Sequence, residues 1–226
     1  MSNAMLLYAH LTDKELVDRV KSGREECYEV LVRRHVAGLY RVCRMYGFSQ
    51  NEAERLLACA FVEAYSRLNS YTHKTGWRSW LTRLMIDLCM EERKDRQTDP
   101  ASAFLADSSR EDHILRDRRA GSAEVCIGEL PVALRSVYIL TEVEGFTPKE
   151  TAWLLATTED HVRLRLTRAK ESLNKSLRKW YQATDIYHLD IYSSNRIAAA
   201  VMQAISTPNR TVPGRYQHRS MKQEIS

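Results

Sequence analysis

The chain has 226 residues, with 34 lysines and arginines against 29 aspartates and glutamates, a formal net charge of +5. That length holds one large or two small domains, and the mild cationic excess inclines toward an anionic partner without proving one. Only eight glycines and five prolines occur and no long β-branched alternation is present, so an all-α fold is expected.

Ser2-Asn3-Ala4 before Met5 has the look of an expression scar, so the reading starts at Met5. Thr12 and Glu15 form a capping box that opens a short helix through about Lys21, and Gly23 breaks it. Tyr28, Leu31, Val32, His35, Leu39, Val42 and Tyr46 then share one face of a long amphipathic helix that Gly47 stops. His35 on that stripe reads as packed rather than metal-binding, because no second ligand lies one turn away. Ser49 or Asn51 caps a third helix, with Ala53, Leu56, Leu57, Ala60, Phe61, Ala64 and Leu68 inward. After a polar break, Asn69 to Gly76, a fourth helix runs from about Trp77 to Arg96, its apolar positions including Trp77, Trp80, Leu81, Leu84, Met85 and Leu88. Four such helices enclose one core of about ninety residues. Trp77 and Trp80 suit that core; stacking on unpaired bases, worth roughly 1–3 kcal/mol each, is the other use of such a pair.

Residues 97–109, with Pro100 and several serines and alanines, read as a linker. A helix resumes near Arg110 toward Cys126, and Leu130-Pro131 starts another with Leu134, Val137, Tyr138 and Thr141 inward and Gly145 at its end. Thr147, Pro148 and Glu150 make a capping box with proline at the first helical position. That helix is short, since Thr157-Thr158-Glu159-Asp160 supplies a second cap. The helix that follows carries Val162, Leu166, Ala169, Leu173 and Leu177 on one face, beside Arg163, Arg165, Arg168 and Lys170. Two helices across a tight polar turn, the second one basic, read as a helix-turn-helix; the alternative is an ordinary helical hairpin with a solvated basic face. The expected organisation is therefore a helical domain over 5–96, a linker over 97–109, a helix-turn-helix domain over 110–180 and an extension over 181–226. That extension is expected to be helical near 195–206 and disordered beyond, covering one of the domains or mediating self-association.

The cysteines Cys27, Cys43, Cys59, Cys89 and Cys126 are scattered, with no CxxC or Cys/His cluster, which argues against zinc or a disulfide framework and suits a reducing cytoplasm. No stretch approaches a membrane span and no signal peptide is visible. Phosphate-cradling glycine loops, nucleophile elbows and metal-ligand spacings are absent, so the chain is read as non-catalytic and without cofactors.

Leu130-Pro131, Val137-Tyr138-Ile139-Leu140, Glu142-Val143-Glu144-Gly145-Phe146-Thr147 and the run from Val162 to Ala169 resemble the carboxy-terminal domain of extracytoplasmic-function (ECF) RNA polymerase sigma factors. The run from Tyr28 to His35, Phe61-Val62-Glu63-Ala64-Tyr65 and Trp77-Arg78-Ser79-Trp80-Leu81 resemble the same family's amino-terminal domain, in the right order, over about residues 11 to 180 in all. The resemblance implies a cytoplasmic protein that binds core RNA polymerase, promoter DNA and an anti-sigma factor. It places Lys149, Thr158, Glu159, His161, Arg163, Leu164, Arg165, Arg168 and Lys170 at the minus-thirty-five element. Leu164 would meet a thymine methyl or simply be exposed. For the melted minus-ten strand it points to Trp77, Arg78, Trp80, Arg83, Asp87, Arg93 and Lys94. The family's acidic and glutamine-bearing polymerase grip falls on Arg55, Ala58 and Cys59. A cation and two small groups there leave a second reading open: a sigma-like regulator that binds DNA or an anti-sigma factor without productive polymerase binding.

Overall fold

A computed structural model describes residues 3–98, 123–176, 187 and 189–206. Most of the expected linker, the helix start near Arg110, Leu177 and the tail beyond 206 lie outside the described residues. The elements in chain order are α1 (Asn3–Tyr8), α2 (Asp13–Lys21), α3 (Glu26–Met45), α4 (Gln50–Ser66), a 3-10 turn (Leu68–Ser70) and α5 (Trp77–Thr98). They continue with α6 (Ala123–Glu129), α7 (Val132–Tyr138), a π-turn (Ile139–Val143), α8 (Pro148–Leu154), α9 (Glu159–Ser176) and α10 (Ile191–Ser206). The fold is all-α, with no strand among the described residues.

Local chemistry sets the helix starts. Thr12 with Glu15, Ser49 with Glu52 and Thr147 with Glu150 each form a reciprocal capping box, satisfying amide donors that a helix end leaves bare. Ser49 rather than Asn51 is the cap of α4. Asn3 and Ala4, set aside as part of a scar, begin α1, which packs on α3 and buries Ala4.

The first half closes its core between α2, α3, α4 and α5 around Leu16, Tyr28, Leu31, Leu57, Phe61 and Met85, all fully buried. Tyr28 donates its hydroxyl to the Phe61 carbonyl at 2.6 Å, so even its polar end is satisfied inside. His35 is packed as expected, its Nε2 2.7 Å from an Asp13 carboxylate oxygen. Burial pushes the Asp13 carboxyl upward, yet hydrogen bonds and charge from His35 and Arg34 leave it below its ordinary range.

In the second half α9 lies on α7 and α8, and a small cluster of Val137, Ala152 and Val162 joins them. Most of its other apolar side chains, among them Ile127, Leu130, Ile139, Leu140, Phe146 and Leu154, belong to the same buried cluster as the first half. The halves are therefore packed together, through α8 on α5 and through α7 and the π-turn on α3. The extension folds back as α10. Asp190 accepts from the Ser193 amide at 2.8 Å to cap it, and Ile197, Ala198, Val201 and Ile205 go down onto α3 and α4. At its edges Arg196 pairs with Glu54, Asn195 accepts from Arg33, and Ser193 lies 3.4 Å from Gln50.

Candidate nucleic-acid interface

The turn between α8 and α9 is built by backbone hydrogen bonds. Thr157 N donates to Ala152 O at 2.9 Å and Ala156 N to Trp153 O at 3.3 Å, the pairing of a Schellman motif. Ala156 takes the left-handed position of that motif, at φ +48°, where glycine is usual. Thr158 then caps α9, accepting from the His161 amide at 3.3 Å. The chain reverses within four residues and the second helix leaves at a fixed angle. This is a helix-turn-helix.

α9 sorts its side chains sharply. Val162, Ala169 and Leu173 are buried and Leu166 is half-buried, so the expected apolar stripe faces α7 and α8. His161, Arg163, Leu164 and Arg168 are exposed on the other side; Thr158 before them and Lys149 on α8 are exposed too. Glu159 and Arg165 are half-buried. Arg163 touches Glu159 at 3.6 Å, one turn back, with 67% of its side chain exposed. Lys170 is held by Glu142 at 2.9 Å and so is tied back to its own scaffold. Leu164 and Trp153 are the large apolar side chains this surface exposes, at 48% and 44%. An exposed row of arginines on a helix whose opposite face is its core is a shape and charge that fit the major groove.

The α5 residues read for the melted strand divide differently. Trp77 is 2% exposed, stacked at 5.1 Å on Trp80 and edge-on to Tyr71 and Tyr28. Its base-stacking role is corrected to a core one. Helical spacing alone could not separate the two uses, and the aromatic cage decides. Trp80 is half-buried against the same cage. Arg78 and Arg83 lie on the α5 face that meets the second half, Asp87 pairs with Arg83 at 3.2 Å, Arg93 is half-buried and Lys94 is exposed.

The family model for sigma-70 region 4 matches residues 121–173, which contain this helix-turn-helix. The ECF RNA polymerase sigma factor SigM of Mycobacterium tuberculosis (strain ATCC 35801 / TMC 107 / Erdman) is 24% identical over 176 residues, 78% of this chain and 85% of SigM. The RNA polymerase sigma-H factor of Pseudomonas aeruginosa is 25% identical over 73% of this chain and 93% of its own. Over most of its length the chain is similar to ECF RNA polymerase sigma factors. The solved structure of CnrH in complex with the cytosolic domain of CnrY is similar in fold, with a TM-score of 0.54 and 23% identity over 72% of this chain and 95% of that one.

Helix α4 is covered on several sides by α3, α5 and α10. Cys59 is buried, and burial raises its thiol pKa, so its place in the polymerase grip is corrected to the interior. Ala58 is half-buried. Arg55 keeps 52% of its side chain exposed but donates to Glu92 of α5 at 2.6 Å. Its neighbour Glu54 is held by Arg196 of α10. α10 thus walls one side of α4 and α5 the other, leaving a ridge at Asn51 and Arg55.

Two residues that join the halves were not singled out by sequence. Glu144, just before the Gly145 turn, has a side chain 6% exposed that receives Arg41 of α3 and, at 3.2 Å, Arg78 of α5. Arg135 of α7 reaches back to the Met45 carbonyl at 3.2 Å and the Leu130 carbonyl at 2.9 Å. Nothing in spacing marks them, because each partner lies far away in sequence. An acid beside a helix-ending glycine was the only local hint. No described helix is long and apolar enough to cross a membrane, and the described residues offer no cluster suited to a metal ion.

Proposed function

We propose that the chain is an ECF-type sigma factor that directs core RNA polymerase to promoters by laying α9 in the major groove of an upstream element, with Arg163 and Arg168 on phosphates or guanine edges. Lys149 would reach a phosphate from α8, and Thr158, His161 and Leu164 would lie at the groove end of α9. The observation that carries this reading is the exposed arginine side of α9 opposite its buried Val162, Ala169 and Leu173. In the same reading the first half, over 5–96, holds polymerase along α4 and tracks the melted strand with Arg78, Arg83, Arg93 and Lys94 of α5. The extension after 181 is an addition to this plan. Such a protein works without cofactor or catalysis, in the cytoplasm where polymerase is, and an anti-sigma factor is its natural antagonist.

The experiment is reconstitution: the chain is incubated with core RNA polymerase and tested for co-elution, then for run-off transcription on genomic promoter fragments. Co-elution with promoter-dependent transcripts, lost in the Arg163→Ala/Arg168→Ala double variant, is the expected result. A specific observation favours a second reading, in which the chain binds DNA or an anti-sigma factor without gripping polymerase: Cys59 is inside and Arg55 is committed to Glu92. Duplex binding without co-elution would select that reading.

A further inference from the structure

Helix α4 carries three acids, Glu52, Glu54 and Glu63, and one glutamine, Gln50. Glu52 serves the Ser49 cap, and Glu63 pairs with Arg67 at 2.6 Å along its own helix. Gln50 and Glu54 remain, one turn apart, with the Gln50 amide donating to Glu54 Oε1 at 3.0 Å. Helix α10 takes both. Arg196 pairs with Glu54 and leaves that carboxylate side chain 11% exposed, while the Ser193 hydroxyl accepts from the Gln50 amide at 3.4 Å. Beneath these contacts Ile197, Ala198, Val201 and Ile205 are buried on α3 and α4.

The extension is held at two places of different character. Before α10 the chain turns at Tyr187, at φ +50°. There the Tyr187 amide donates to Glu124 of α6 at 2.9 Å, and the Arg44 guanidinium carbon lies 5.5 Å from the centre of its ring. α10 itself is held by a narrow apolar underside and by polar contacts at its rim, where Arg196 keeps 53% of its side chain exposed. Rim pairs of this kind add little stability and are readily exchanged for those of a partner.

We infer that the α3–α4 face is a docking surface for an arginine-bearing helix of core RNA polymerase, and that α10 is its occupant within the chain, so that α10 and polymerase exclude one another. The inference rests on the polymerase-binding role proposed for α4 above and names the residues and the regulation of that surface. α10 displays the chemistry the face accepts. Arg196 is the one charge in its sixteen residues and it lands on Glu54, whose carboxylate suits a guanidinium fork. Small side chains such as Ala198 let the helix come close. With α10 seated, the acid is neutralised and the rim presents Arg196 beside Arg55, a pair of cations that repels a basic partner. The anchor at Tyr187 keeps α10 at a high effective concentration, and the apparent affinity for polymerase falls with the fraction of molecules in which the face is free.

The test uses the full chain with core RNA polymerase. Hydrogen exchange by mass spectrometry on wild type, alone and in the complex, follows residues 191–206 and α4 separately. Polymerase should speed exchange in 191–206 by at least about tenfold while α4 stays protected. Ala198→Glu/Val201→Glu places two charges on the underside of α10 without altering α3 or α4, and should tighten polymerase binding by at least about tenfold. Ala199→Glu/Ala200→Glu, on the exposed side of α10, should bind as wild type does. Adding Glu54→Arg to Ala198→Glu/Val201→Glu should abolish the gain. Unchanged protection of 191–206 in the wild-type complex, or polymerase bound equally by wild type and Ala198→Glu/Val201→Glu, overturns the inference and leaves the proposed function standing. Circular dichroism checks that the variant folds; if it does not, exchange in the wild-type complex decides. Absence of polymerase binding by both wild type and the folded variant overturns the proposed function, and the inference with it.

Discussion

Replacing Arg163, Arg168 and Lys170 singly by alanine probes the proposed duplex-reading surface, and the structure sets the lysine apart from the two arginines. Arg163 has 67% of its side chain exposed and pairs with Glu159, one turn back, at 3.6 Å. Such a pair contributes about 0.3–0.5 kcal/mol, so turning Arg163 toward DNA costs little. If it neutralises one phosphate, its loss lowers the slope of log affinity against log salt by about 0.9. Between 50 and 200 mM salt that difference amounts to roughly a 3.5-fold change in relative affinity. If instead Arg163 or Arg168 grips a guanine edge, the loss is about 1–3 kcal/mol on the cognate duplex, with little change on a scrambled one. Lys170, already bonded to Glu142 at 2.9 Å, should give the smallest effect.

The assay is fluorescence anisotropy with cognate and scrambled duplexes across a salt series, which separates the two arginine roles by slope and by specificity. Glu159→Ala should strengthen binding modestly, since it removes both the intrahelical partner and a negative charge at the entrance to the groove. The reasoning is refuted if Arg163→Ala and Arg168→Ala leave both slope and cognate affinity unchanged, or if Lys170→Ala is the most damaging of the three.

Ala156→Gly at the corner of the helix-turn-helix should raise thermal stability. A β-carbon at φ +48° costs about 1–2 kcal/mol, and glycine gives back about 0.4–1 kcal/mol through unfolded-chain entropy. The net gain of about 0.5–1 kcal/mol corresponds to roughly 1–4 °C in Tm by calorimetry, and a lower Tm would contradict the strain. Asp13 predicts a pH dependence. Its folded pKa lies below its ordinary 3.8, so its stabilisation is present above that value and is lost as pH falls through the lowered folded value. Urea melts should therefore show Asp13→Asn clearly less stable than wild type at pH 6, with the gap closing below pH 4. A gap that stays constant across that range would remove Asp13 from the acid side of the stability curve.

Much of the fold was legible because its signals are local. Capping boxes at Thr12, Ser49 and Thr147 fixed helix starts, and the spacing of Val162, Leu166, Ala169 and Leu173 announced which side of α9 goes inward. A cap acts over three residues and a stripe over four, so neither needs tertiary knowledge. The errors fall where the deciding partner is remote. Trp77 is core because Tyr28 and Tyr71 come from other elements to cage it. Cys59 is interior because α4 is walled by its neighbours on several sides, α10 among them, and that helix lies more than 130 residues along the chain.

The arginines of α5 show why the function of a surface is less legible than its fold. Arg78 and Arg83 sit where a strand-tracking protein needs cations, and sequence reads them so. Guanidinium recognises oxygen by geometry and charge, and a phosphate, a carboxylate and a pair of helix-end carbonyls all satisfy it. The chain's own Glu144, Trp153 and Leu154 present those oxygens at an effective concentration that no free strand matches, since covalent linkage has already brought them near.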